Sequence, residues 1–116
     1  MLKVYQYDKC STCRNALKFL TARKVVVEKF DITTTPPSLK ELKRMVARYD
    51  GDFKRLFNTS GQVYREMGLS TKIKAMSETE ALTLLASNGR LIKRPFLIDD
   101  SIGLVGFNEK EWKEAL

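Results

Sequence analysis

The sequence predicts an α/β fold that runs β-α-β, then an all-helical middle, then β-β-α. Three observations carry this. Two β-forming runs near the N-terminus flank an amphipathic helical stretch, two Ser-x-x-Glu capping boxes open helices in the middle, and two short apolar runs around a turn precede a last helical stretch. The 116 residues fit one domain, 1–116. With 43% apolar and 30% charged residues, the chain is neither disordered, nor collagen-like, nor a disulfide-stapled mini-protein.

Leu2–Tyr7 alternates apolar and polar positions and reads as a first strand, with Asp8–Ser11 as the turn after it. From Ser11 to Lys24 the pattern is helical, and Cys13, Ala16, Leu17 and Leu20 share one face. Val25–Ile32 reads as a second strand, its β-branched run suggesting a buried one, parallel to the first through a right-handed crossover. Pro36 and Pro37 keep the next loop extended. Ser38 and Glu41 form a capping box for a helix to Tyr49, with Leu39, Leu42, Met45 and Val46 facing inward, and Gly51 ends it. Short helices follow over Asp52–Asn58 and Gln62–Met67, the second capped by Gly68. Ser77 and Glu80 start another helix, which stops at Asn88-Gly89. Phe96–Ile98 and Leu104–Phe107 form a hairpin around Asp99–Gly103, so the sheet is small and mixed. Asn108 caps a final helix through Trp112 to Leu116.

The chain holds 21 Lys and Arg against 14 Asp and Glu, a net charge of +7, and no histidine. Imidazole is therefore excluded as acid, base or metal ligand. The basic residues are dispersed, without a Lys/Arg run, so direct nucleic-acid binding is not expected. The only cysteines are Cys10 and Cys13, too few with no histidine for a structural zinc site. No run of about 18 apolar residues exists to span a membrane, and Met1–Asp8, charged and short, does not read as a signal peptide. The expected compartment is the cytoplasm, where a Cys-x-x-Cys is redox-active more often than structural.

Cys10 falls where a strand ends and a helix starts. Unpaired N–H groups and the positive end of the helix dipole favour a thiolate there. A free cysteine titrates near ~8.5, and helix N-termini in Cys-x-x-Cys motifs lower this to roughly 3.5–7.5. Lys9 and Arg14 add positive charge, and the same features suit an oxyanion. Cys13 is one turn further along. The i, i+3 spacing puts the Cβ atoms about 5–6 Å apart, and a small adjustment of the first turn brings them to disulfide distance. Cys10 then reads as the attacking sulfur and Cys13 as the resolving one, although Cys13 also suits a buried filler on the apolar face. Ser11 and Thr12 read either as donors to a bound anion or as ordinary first-turn residues.

Three motifs, Cys-Ser-Thr-Cys-Arg-Asn at Cys10–Asn15, Lys-Arg-Pro-Phe-Leu-Ile-Asp at Lys93–Asp99 and Leu-Val-Gly-Phe-Asn-Glu at Leu104–Glu109, stand in the order and spacing of the arsenate reductase-like (ArsC) family. The sequence resembles that family over almost its whole length. The family also contains the Spx-type redox regulators of transcription. The resemblance implies a thioredoxin-like fold with a helical insertion, here about 38–90, and a cis-proline at Pro95 facing the reactive cysteine. It implies that Arg94 holds an oxyanion beside Cys10, which a planar guanidinium fork suits. Arg94 read by its residue type alone also fits a surface ion pair, for example with Asp99.

The sequence departs from the well-studied arsenate reductases at four places. They carry arginines where this chain has Asn58 and Gly106, a histidine before the cysteine where it has Gln6, and a serine where it has Cys13. Arsenate is accordingly expected to be a slow substrate at best. The resemblance implies a thiol–disulfide oxidoreductase. Cys10, Cys13 and Arg94 would do the chemistry, Ser11, Thr12, Arg14 and Pro95 would line the substrate site, and there would be no cofactor. The substrate would be a small oxyanion or a disulfide such as a glutathione adduct. The reductant would be an external thiol, either glutathione with glutaredoxin or thioredoxin. The alternative it implies is a redox switch that binds the α-subunit of RNA polymerase, although Spx proteins carry a further tail beyond the last helix.

Overall fold

The computed structural model describes residues 1–116. Four strands, β1 (Lys3–Gln6), β2 (Glu28–Asp31), β3 (Phe96–Ile98) and β4 (Gly103–Val105), form one sheet in the order β2-β1-β3-β4. β1 runs parallel to β2 and antiparallel to β3, and β3 pairs antiparallel with β4, so the sheet is mixed as the sequence predicts. In β1–β3, Val4 lies opposite Leu97 and Tyr5 opposite Phe96.

The two-residue period of the strands sorts the core into two layers. Val4, Leu97 and Leu104 point to one face, where they pack with Ala16 and Leu20 of helix α1 (Ser11–Ala22) and Trp112 of helix α6 (Glu109–Ala115). Tyr5, Phe96, Ile98 and Val105 point to the other. There they meet the helical segment: α2 (Leu39–Arg48), a 3-10 turn at Phe53–Leu56, α3 (Gln62–Glu66), α4 (Leu69–Lys72), a 3-10 turn at Ile73–Ala75, α5 (Glu78–Ser87) and a 3-10 turn at Gly89–Leu91. Both capping boxes form in full, at Ser38–Glu41 and Ser77–Glu80. Each satisfies two donors that a helix start otherwise leaves orphaned. No helix is long and apolar enough to cross a membrane.

Four expectations need correction. β2 covers only Glu28–Asp31, and it is not buried: it is one of the sheet's two edge strands, and Val26, just before it, is 73% exposed. Lys24, at a φ of 58°, turns the chain out of α1. Val25–Val27 is therefore a connection whose half-buried Val25 and Val27 pack beside α1, rather than a strand. Leu39 is 40% exposed, because the first turn of α2 lies outside the packed stretch from Leu42 to Val46. Residues 69–75, without a predicted element, form α4 and a 3-10 turn that bury Leu69 and Ile73. The last strand stops at Val105, because Gly106 has a φ of +70° and bends the chain away. This glycine's backbone N–H then donates to the Pro95 carbonyl at 2.8 Å, and its own carbonyl accepts the indole N–H of Trp112 at 3.1 Å.

Candidate functional site

The chain leaves β1 through a turn closed by the Cys10 N–H donating to the Tyr7 carbonyl at 3.0 Å. Cys10 then caps α1. Its backbone is extended and its sulfur accepts the Cys13 N–H at 3.2 Å. Serine, threonine and aspartate ordinarily do this with an oxygen. Here a sulfur takes one of the orphaned donors at the positive end of a twelve-residue helix, and the first turn holds no acidic residue to compete.

The two cysteines are pushed apart in acidity. Burial alone would raise Cys10, but hydrogen bonds from the Cys13 thiol and amide and the nearby Arg94 guanidinium outweigh it, so its thiol lies below the usual range. Cys13 is fully buried. Burial and its hydrogen bond to the Cys10 sulfur push it up to about 12, only partly offset by the Tyr7 backbone and Arg94. Both are free thiols. One sulfur is thus half-buried, reachable and readily ionised, and its neighbour is enclosed and held protonated.

Arg94 lies with its guanidinium carbon 5.0 Å from the Tyr7 ring centre, beside Cys10, and makes no ion pair with Asp99 or any other carboxylate. Asp99 instead accepts the Ser101 and Ile102 N–H groups in the hairpin turn. The Arg94–Pro95 peptide is cis, as the resemblance implies, and Pro95 is buried.

Cys10 and Arg94 open onto a cleft of about 540 Å³. Thr12 lines it, as do Asn58 and Gly106, the two positions where arsenate reductases carry arginines. Ser11 is exposed and does not line the cleft. Arg14 does not either. Its guanidinium donates to the Asp8 carbonyl at 2.9 Å, bracing the turn rather than the anion site. Pro95 is buried and does not line the cleft either, although its carbonyl accepts the N–H of Gly106, which does. Three cleft residues escape a reading of the sequence. Arg55 comes from the 3-10 turn at Phe53–Leu56 and Glu111 from α6, with no local motif to mark either, and Lys93, although it opens the Lys93–Asp99 motif, is given no site role by it. No group of histidine, cysteine or carboxylate side chains is placed to hold a metal ion.

These acidities have a direct consequence. One equivalent of iodoacetamide at neutral pH is expected to alkylate Cys10 and leave Cys13 free, as read by peptide mapping. The rate should rise with pH through a midpoint below that of a free cysteine, since the thiolate is the nucleophile. Arg94→Gln should move that midpoint upward by removing the favourable charge. Alkylation of Cys13 first, or an unmoved midpoint in the variant, would contradict the geometry.

The mixed sheet, the Cys-x-x-Cys at the head of the first helix and the cis-proline before β3 define a thioredoxin-like fold. The model of the ArsC family matches residues 5–115, and the chain belongs to that family. It is 45% identical over 113 residues to the uncharacterized protein YusI of Bacillus subtilis, covering 97% of this chain and 96% of that one. The crystal structure of a Streptococcus mutans protein described as a possible arsenate reductase superposes with a TM-score of 0.88 at 37% identity, covering 97% and 98% of the two chains. The global transcriptional regulator Spx of Streptococcus mutans is 26% identical over 116 residues, covering 100% of this chain and 83% of that one.

Proposed function

We propose that this chain is a thiol–disulfide oxidoreductase of the ArsC family. The observation that carries the reading is the Cys10 sulfur accepting the first-turn Cys13 N–H of α1, with the Cys13 side chain buried one turn along. The Cys10 thiolate attacks one sulfur of a substrate disulfide. The S–S bond breaks, a mixed disulfide forms, and the first thiolate leaves and takes a proton from water. Cys13 then loses its proton and attacks the Cys10 sulfur, which releases the second thiol and leaves a Cys10–Cys13 disulfide. The substrate gains two electrons and the protein loses two. An external thiol, from glutathione with glutaredoxin or from thioredoxin, returns them, and no cofactor is needed. Arg94 balances the charge on Cys10 and on a bound anion. Arsenate should turn over slowly, since Asn58 and Gly106 give the cleft no guanidinium at those positions.

Intact-mass measurement tests this. Mild oxidation of the reduced chain should remove two hydrogens, and dithiothreitol should restore them. Only over-oxidised or disulfide-linked dimeric species would show that Cys13 does not resolve Cys10.

The likeness to Spx across the whole chain favours a second reading, a redox switch that binds the α-subunit of RNA polymerase. Pull-downs with reduced and oxidised chain separate the two. Polymerase in the eluate favours the switch. A thioredoxin or glutaredoxin trapped on the Cys13→Ser chain favours the reductase.

A further inference from the structure

We propose that Arg55 and Lys93 make the cleft selective for disulfides that carry a carboxylate close to the S–S bond, with Arg55 as the specificity-determining residue. This rests on the oxidoreductase reading and adds what the substrate must look like.

The argument starts from charge. Arg55, Lys93 and Arg94 line one cleft with Cys10, against a single carboxylate, Glu111. The molecule's ion pairs are Lys3–Glu41, Arg44–Asp100 and Lys113–Glu109, so none of the three cleft cations is neutralised by a partner. Glu111 is itself engaged, since it accepts the Tyr49 hydroxyl at 3.2 Å. Arg94 belongs to the sulfur, which leaves Arg55 and Lys93 as cations that the exchange chemistry does not use.

Arg55 is held in place, and Lys93 has room to reach the cleft. The guanidinium carbon of Arg55 stacks 4.2 Å from the centre of the Tyr49 ring. That ring is pinned at its far end, where the hydroxyl donates to Glu111 and accepts the Val105 N–H of β4 at 3.0 Å. A guanidinium stacked on a ring keeps its in-plane N–H edge free, and this edge matches a carboxylate with two parallel hydrogen bonds. The stem of Lys93 crosses Gly106 so closely that a Cβ there would stand 2.8 Å from its Cε. The glycine that interrupts the arsenate-reductase pattern is therefore what lets Lys93 lie along the cleft. In the exchange, the carboxylate of the bound disulfide pairs with Arg55 and Lys93, and this brings the S–S bond to the Cys10 thiolate. The electron and proton movements are those given above.

Three aliphatic disulfides of different charge test this: 3,3′-dithiodipropionate (anionic), hydroxyethyl disulfide (neutral) and cystamine (cationic). Each is mixed with the reduced full-length chain, and quenched intact mass gives the second-order rate constant. The readout is the rate ratio of anionic to neutral disulfide, compared between chains so that intrinsic reactivities cancel. In Arg55→Gln this ratio should fall about fivefold, which is roughly 1 kcal/mol and the upper end for an exposed ion pair. Added salt should lower it in wild type. The cystamine ratio should rise in the variant. Arg44→Gln, outside the cleft, should leave all ratios as they are. If wild type reduces the neutral disulfide but the ratios do not change in Arg55→Gln, the inference is overturned and the oxidoreductase reading stands. If wild type reacts with none of the three, both fall.

Discussion

Replacing Cys10 with serine is expected to drop disulfide reduction to the background rate of the buffer, whereas Cys13→Ser should stop the reaction halfway, with one mixed disulfide per chain. The asymmetry follows from the geometry. Cys10 is the half-buried sulfur that accepts the Cys13 N–H and has its acidity raised by Arg94, so it supplies the thiolate. A serine in its place caps α1 at least as well, because Ser is among the preferred N-cap residues. The variant should therefore melt no lower than wild type while losing its nucleophile, which separates chemistry from folding. Cys13 is fully buried, with its thiol pushed up to about 12, and only becomes reactive toward a sulfur already bonded to Cys10. Stopped assays read by intact mass decide this. A Cys10→Ser chain that still reduces hydroxyethyl disulfide above background would remove Cys10 from the mechanism. A Cys13→Ser chain that completes the turnover without an added thiol would remove Cys13.

Local rules made much of this legible in the sequence. Ser38–Glu41 and Ser77–Glu80 place their helices because capping is a four-residue device, and both form as read. Cys10 and Cys13 come out as reachable and enclosed sulfurs because strand-to-helix placement and helical periodicity decide both. What failed depends on contacts far apart in the chain. Val25–Val27 has the composition of a buried strand, yet whether a strand is central or at the edge is decided by the sheet order β2-β1-β3-β4, which no local window contains. Arg55 carries no motif at all. It matters because the turn at Phe53–Leu56 stacks it on Tyr49, and Tyr49 is fixed by Val105 and Glu111, 56 and 62 residues away along the chain.

Gly89 sharpens the same lesson and carries the largest expected stability loss. Read locally, Asn88-Gly89 is a helix stop, and a glycine there supplies left-handed backbone. The structure uses it otherwise. Gly89 is not among the residues with positive φ, and Asn88 is the residue that ends α5. The requirement is space, since a Cβ on Gly89 would lie 1.7 Å from the Ile32 carbonyl oxygen and 2.8 Å from its carbon. Neither side can give way cheaply. Ile32 is fully buried, and its N–H donates to the Gln6 carbonyl at 2.9 Å, which ties it to β1. On the other side, Asn58 N–H to Leu91 O and Lys93 N–H to Leu56 O, both 2.7 Å, clamp the segment after Gly89. Gly89→Ala should therefore cost about 3 kcal/mol or more, at or beyond the usual range for overpacking. That is a large share of a total stability of roughly 5–15 kcal/mol, and at this chain length it lowers Tm by about 10 °C or more. Gly68→Ala is the control. It has a φ of +63° but nothing within 4 Å of its Cβ, so only the left-handed backbone cost of about 1–2 kcal/mol applies. Thermal melts followed by circular dichroism should rank wild type above Gly68→Ala above Gly89→Ala. A Gly89→Ala chain that melts as high as Gly68→Ala would refute the close packing of Gly89 on Ile32. Because the clamped segment leads directly into Lys93, Arg94 and Pro95, the same substitution should also blunt the alkylation preference for Cys10 at temperatures where the chain is still folded.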